Sequence, residues 1–125
     1  MANSPLLLLV EDDPAILHVL AATLRYGGYE SHAVSTGVEA LSKVGARHYD
    51  AILLDLSLPD LSGTNLVRMM RSLTAAPILV VSGDALEEQK ITALDAGADD
   101  FIQKPFLPGE LLARLRAALR RTAAA

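Results

Sequence analysis

Apolar residues fall along this chain in two alternating rhythms. In Leu6–Val10, Ala51–Leu54 and Pro77–Val81, and more weakly in Phe101–Ile102, they sit on consecutive positions. Runs of four or five apolar residues without alternation predict strands buried on both faces, as in a parallel sheet covered by helices. A fifth strand over Glu30–Val34 is polar enough to lie at an edge.

Between the runs, apolar residues recur every three or four positions, the spacing of one helix face. Asp13-Pro14 reads as an N-cap with proline at the first helical position. That helix carries Ile16, Leu17, Leu20 and Leu24 and stops at Gly27-Gly28. Thr36-Gly37-Val38-Glu39 forms a capping box ahead of Leu41 and Val44. Leu66, Met69, Met70 and Leu73 make a third stripe, with the two methionines as core and shoulder packing. Leu86, Ile91 and Leu94 make a fourth, with Gly97 as its C-terminal cap, and Leu111, Leu112, Leu115 and Leu119 a fifth. Arginines near the end of that last helix suit its dipole.

Strand and helix thus alternate five times, which predicts an α/β fold with a doubly wound five-stranded parallel sheet. Right-handed crossovers restrict the topology. In such sheets ligands meet the carboxyl ends of the strands. Glu11, Asp12 and Asp13 follow the first run, Asp55 the third, Ser82 and Gly83 the fourth, and Lys104-Pro105 the fifth. Taken singly, each has an ordinary reading: the Glu-Asp-Asp run as a solvated turn, Asp13 as a helix cap, Ser82 as a cap, Lys-Pro as a turn. Their joint placement after successive strands points to a site.

Two carboxylates about 4 Å apart repel by roughly 4 kcal/mol at an effective dielectric of about 20. Such a cluster takes up protons or binds a cation. Oxygen donors without nearby His or Cys suit Mg²⁺ or Mn²⁺. Mg²⁺ uses one or two carboxylates plus a phosphate oxygen, which leaves one carboxylate free as a nucleophile. Asp55 can then form an acyl phosphate. The metal, the Lys104 ammonium and the Ser82 hydroxyl would match its charge.

Composition narrows the classes. The 125 residues are 51% hydrophobic and 21% charged, which fits one globular domain. A chain of that size buries roughly two-thirds of the surface it exposes when unfolded. A net charge of −4 and a pI near 5.2 leave no footprint for nucleic acid. Without cysteine there is no disulfide, zinc-thiolate site or thiol chemistry. Leu6–Val10 is too short to span a membrane and lacks the basic flank of a signal peptide, so a soluble cytoplasmic protein is expected.

At these residues the chain resembles the receiver domain of bacterial two-component response regulators. The stretches that carry the likeness are Leu8–Asp13, Leu53–Asp60, Val80–Gly83, Ala93–Asp100 and Gln103–Phe106, and it covers roughly residues 5 to 121. The Ala93–Asp100 block and the helix from Gly109 are similar to the OmpR/PhoB class, and within it to Kdp-type regulators of potassium-uptake operons. The resemblance implies a flavodoxin-like (βα)5 fold with strand order 2-1-3-4-5. It makes Asp55 the phosphoacceptor, fed by a sensor histidine kinase. Glu11 and Asp12 become the metal-binding acidic pair, with Asp12 the more direct ligand, and Ser57 lends its backbone carbonyl to Mg²⁺. Ser82 becomes the switch hydroxyl, Lys104 a phosphoryl contact, and Phe101 the aromatic switch, without the hydroxyl of the tyrosine often found there. A cis peptide is implied between Lys104 and Pro105, a form accessible chiefly before proline. Gly83 stands where alanine is frequent, and Ser57 and Asp84 flank the approach of water to the phosphoryl group.

The resemblance further implies that phosphorylation shifts the population between two packings and pairs two copies through the fourth helix, fifth strand and fifth helix, where Lys90, Asp99, Asp100, Glu110, Arg114 and Arg120 lie. The other reading of those charges is a solvated surface. A C-terminal winged-helix domain is expected after Arg121, so DNA would be reached only through it; Ala123-Ala124-Ala125 can begin a linker. His18, His32 and His48 read as neither ligands nor phosphohistidines. An aspartyl-nucleophile phosphohydrolase is disfavoured, because its second acid would stand where Ser57 stands. A flavin or nucleotide site would need a phosphate-binding loop in place of Glu11-Asp12-Asp13. A degenerate receiver acting only as an interaction module is disfavoured by the complete set of Asp55, Ser82 and Lys104. The chain is not expected to turn over a separate substrate; it would catalyse only its own phosphoryl transfer and autodephosphorylation.

Overall fold

The computed structural model describes residues 4–83 and 87–124, so Asp84 and Leu86 lie outside the described residues. Strands and helices alternate as β1 (Leu6–Val10), α1 (Pro14–Tyr26), β2 (Glu30–Val34), α2 (Gly37–Ala46), β3 (Ala51–Leu54), α3 (Gly63–Arg71), β4 (Ile78–Ser82), α4 (Glu87–Ala96), β5 (Asp100–Gln103) and α5 (Pro108–Ala124). The strands form one parallel sheet in the order β2-β1-β3-β4-β5, with the polar β2 at an edge.

The unbroken apolar runs are explained by two cores, one on each face of the sheet. Leu8, Val10, Ile52, Leu54, Ile78 and Val80 face α2, α3 and α4. Leu7, Leu9, Leu53, Leu79 and Val81 face α1 and α5. Each fully buried leucine contributes about 1.5–3 kcal/mol relative to an exposed one. The expected caps are formed. Asp13 Oδ1 accepts the N–H groups of Ala15 and Ile16. Thr36 Oγ1 accepts the Glu39 N–H and donates to its carboxylate. Gly28 and Gly97, just past α1 and α4, take positive φ angles of 91° and 125°, which glycine adopts without strain.

Two stripes differ from expectation. In α4 only Ala93 is buried, while Ile91 and Leu94 are 50% and 38% exposed. The helix is seated on the sheet through Ala93 and Ala96, so its larger apolar side chains are left at the surface. On α3 the buried face is Leu66, Val67 and Met70, with Met69 a half-exposed shoulder; Leu73 lies past the end of the helix and is half exposed, because the helix turns its Val67 side to the core.

Candidate functional site

Parallel register decides which residues meet at the carboxyl edge of the sheet. Val10 pairs with Leu54, and Leu54 with Val80. Glu11 and Asp55 therefore leave adjacent strands at one level, tied in by bonds from Asp55 N to the Val10 carbonyl (3.0 Å) and from Glu11 N to the Val34 carbonyl (3.1 Å). Ser82 pairs with Gln103, and the next residue, Lys104, donates its N–H to the Ser82 carbonyl at 2.9 Å. The Lys104–Pro105 peptide is cis.

The side chains converge. Lys104 Nζ donates to Glu11 Oε1 at 2.8 Å and to Asp55 Oδ2 at 3.0 Å. The other Asp55 oxygen, Oδ1, accepts the backbone N–H of Ser57 at 3.0 Å. Glu11 Oε2 accepts the Asp13 N–H at 3.3 Å. One carboxylate oxygen from each of Glu11, Asp12 and Asp55 lies within 4.8 Å of the others; Glu11 and Asp55 are buried and Asp12 is exposed.

Burial pushes the Glu11 carboxyl up from its ordinary pKa, and the neighbouring Asp55 carboxylate adds to the rise; the Lys104 ammonium opposes it without cancelling it. Burial also works against the Lys104 charge, but its bonds to Glu11 and Asp55 outweigh that effect and hold its pKa above the ordinary value. One ammonium thus serves two buried acids, with a third acid at the rim. The donor set fits a hard divalent cation: three carboxylates from two strand ends, no nitrogen or sulfur, and an opening on the Asp12 side.

Ser82 is buried at the end of β4, and Phe101 is buried in the core on the α2–α4 face. Lys90 and Arg120 are exposed on α4 and α5. Arg114 Nη1 donates to both oxygens of Asp100 at 3.0 Å, and its Nη2 reaches Glu110 at 3.3 Å. Asp99 turns away from this group: its Oδ2 accepts from Arg71 Nη2 at 3.0 Å and from the Ile78 N–H at 2.8 Å. His32 Nδ1 lies 2.9 Å from the Tyr49 hydroxyl, and His48 Nε2 lies 3.4 Å from Asp50; neither is near the acidic pocket. Among the described residues no helix is long and apolar enough to cross a membrane.

Sequence reasoning passed over Asp60, which binds the start of α2 through both of its carboxylate oxygens. An aspartate after a proline reads as an ordinary turn residue, and nothing in its spacing signals a partner more than twenty positions away.

A family model described as "Response regulator receiver domain" matches residues 7–116. The chain is 44% identical over 120 residues to the transcriptional regulatory protein KdpE of Mycobacterium tuberculosis, covering 96% of this chain and 53% of that protein. It therefore spans about half the length of that curated relative. A CheY-like response regulator receiver domain protein from Methanospirillum hungatei superposes with a TM-score of 0.92 at 33% identity, covering 97% of this chain and 98% of that one. The receiver domain of a sensor histidine kinase from Pseudomonas aeruginosa, with a magnesium ion coordinated in its active-site cleft, superposes with a TM-score of 0.87 at 34% identity, covering 93% of this chain and 98% of that one.

Proposed function

The chain belongs to the response regulator receiver domain family of two-component systems, and from that premise we propose that Asp55 accepts the phosphoryl group and that Glu11, Asp12, Asp55 and the Ser57 carbonyl hold a magnesium ion, or manganese in its place. The observation that carries this reading is the position of Lys104 Nζ, bonded at once to Glu11 and Asp55 from a strand end far along the chain. An ammonium so placed can follow the charge as it passes from carboxylate to phosphoryl oxygens.

A phosphohistidine on a sensor kinase is the donor. An Asp55 oxygen attacks phosphorus in line, the bond from phosphorus to the imidazole nitrogen breaks, and an acyl phosphate forms. Glu11, Asp12, Asp55 and the Ser57 carbonyl would hold the metal, which would supply positive charge against the incoming oxygens. Lys104 contacts one phosphoryl oxygen, and Ser82 donates its hydroxyl to another. The new group adds about −1.5 to −2 of charge, and drawing Ser82 toward it opens space for Phe101 to rotate. The two packings differ in the bonds they offer the phosphoryl group, and that difference shifts the population. Water then attacks the acyl phosphate, inorganic phosphate leaves and the Asp55 carboxylate is restored, with Ser57 beside its path.

The output is a twofold dimer through α4, β5 and α5, using Lys90, Asp99, Asp100, Glu110, Arg114 and Arg120. DNA binding by a C-terminal domain beyond Arg121 would convert that pairing into control of transcription. Incubation with Mg²⁺ and acetyl phosphate tests the acceptor. Intact mass should show one phosphoryl adduct on this chain and none on Asp55→Asn; an equal adduct on the variant rejects the assignment.

A further inference from the structure

Asp60 lies in the loop between β3 and α3, exposed and outside the acidic pocket. Its Oδ1 nevertheless accepts the N–H of Gly37 at 2.8 Å, and its Oδ2 that of Val38 at 3.0 Å. These are the first two amides of α2, which no carbonyl within the helix can accept. The third, on Glu39, goes to Thr36 Oγ1 at 3.1 Å. So α2 receives two of its caps from 22 and 23 positions downstream. The same two N–H bonds hold the Asp60 carboxyl below the usual aspartate range.

Leu61 strengthens the junction. A Cβ on residue 37 would stand 2.7 Å from Leu61 Cδ1, so glycine there lets the loop lie against the helix start. At its far end the loop is closed by the Gly63 N–H on the Leu56 carbonyl at 3.1 Å and by Ser57 pairing with Ser62. Ser57, itself part of that second fastening, sends its N–H to Asp55 Oδ1. The α2 start is itself tied to the pocket, since β2 ends at Val34, whose carbonyl accepts the Glu11 N–H.

We propose that Asp60 is a positioning residue for Asp55: by clamping the β3–α3 loop to the first turn of α2, it holds the Ser57 backbone against Asp55 and orients the reacting carboxylate. The proposal rests on Asp55 as phosphoacceptor. A carboxylate that binds a backbone amide through one oxygen and an ammonium through the other has its plane set by both. Releasing the loop frees one of the two.

The test compares this chain with Asp60→Ala and Asp60→Asn, with Asp55→Asn as control. Three quantities are read: the Ser57 resonance in a nitrogen–proton correlation spectrum, the initial rate of phosphoryl uptake from acetyl phosphate at saturating Mg²⁺, and the unfolding midpoint. Asp60→Ala should move the Ser57 resonance and slow uptake about tenfold, the scale typical of lost outer-shell support. Asp60→Asn, whose amide oxygen can accept one of the two bonds, should fall between. A folded Asp60→Ala with the Ser57 resonance and uptake rate of the parent, and only a lower midpoint, overturns the proposal, because Asp60 would then be a helix cap alone. If Asp60→Ala does not fold, Asp60→Asn decides by the same two readouts. Uptake persisting in Asp55→Asn would defeat the acceptor reading, while the Ser57 resonance would still decide whether Asp60 sets the loop.

Discussion

Lys104 Nζ lies 2.8 Å from Glu11 Oε1, across 93 positions of sequence. The bond brings the first strand end and the last into one charge cluster, with Asp55 3.0 Å from the same nitrogen. Among the described residues, the half-buried Lys104 is the cation on which both of these buried acids depend.

Lys104→Met should therefore cost stability on the order of 2 kcal/mol in buffer without divalent ions, since two buried acids lose their shared partner. Added Mg²⁺ should recover part of the loss by supplying another counter-charge. Urea unfolding with and without Mg²⁺ measures both effects. A variant as stable as the parent and indifferent to Mg²⁺ would sink the charge argument.

Asp12 is exposed at the rim of the pocket. Asp12→Asn should leave the unfolding midpoint nearly unchanged while weakening Mg²⁺ binding about tenfold or more. Calorimetric titration of Mg²⁺ checks this, and unchanged affinity would place the ion elsewhere.

A Cβ on residue 63 would collide with the main chain of Leu56. Gly63→Ala should cost about 1–3 kcal/mol, the range for forcing atoms into a filled site. Thermal unfolding measures the cost. Slower phosphoryl uptake should accompany it, because the same loop carries Ser57.

The Asp60 carboxyl titrates below the ordinary aspartate value of 3.8 when folded, because the Gly37 and Val38 N–H groups favour its charged form. Its contribution is present above that ordinary value and is lost as pH falls through the lower folded one. The stability gap between this chain and Asp60→Asn should thus be open at neutral pH and close in acid. Parallel curves throughout the acid range would contradict the bonds.

Arg114 pairs with Asp100 and Glu110 within one chain. Arg114→Glu should change monomer stability by no more than about 1 kcal/mol. It should abolish the dimer expected on phosphorylation, as read by sedimentation with acetyl phosphate and Mg²⁺. Persistence of that dimer would move the interface elsewhere.

The strands and most caps were legible because their causes are local. Leu6–Val10 and Ala51–Leu54 are apolar at every position, so they need cover on both faces wherever they end up. Asp13 and Thr36 cap helices that begin within three residues of them. Glu11, Asp55 and Lys104 were legible together because each follows a strand, and the doubly wound fold gathers such positions at one edge. The outward stripe of Ile91 and Leu94 was not legible. Helical spacing shows which residues share a face, and not whether that face turns inward; Ala93 and Ala96 settled it by their fit to the sheet.

Taken alone, then, the amino-acid order determined the β/α alternation, the acidic, hydroxyl and ammonium groups at the strand ends, and the family likeness those residues carry. The tertiary structure decided partners: that Lys104 bridges Glu11 and Asp55, that Asp99 turns to Arg71, and that Asp60 reaches back to α2. Strand and helix propensities act over a few residues and leave their trace in neighbouring letters. A hydrogen bond between side chains dozens of positions apart depends on strand register and loop path, which exist only once the chain has folded.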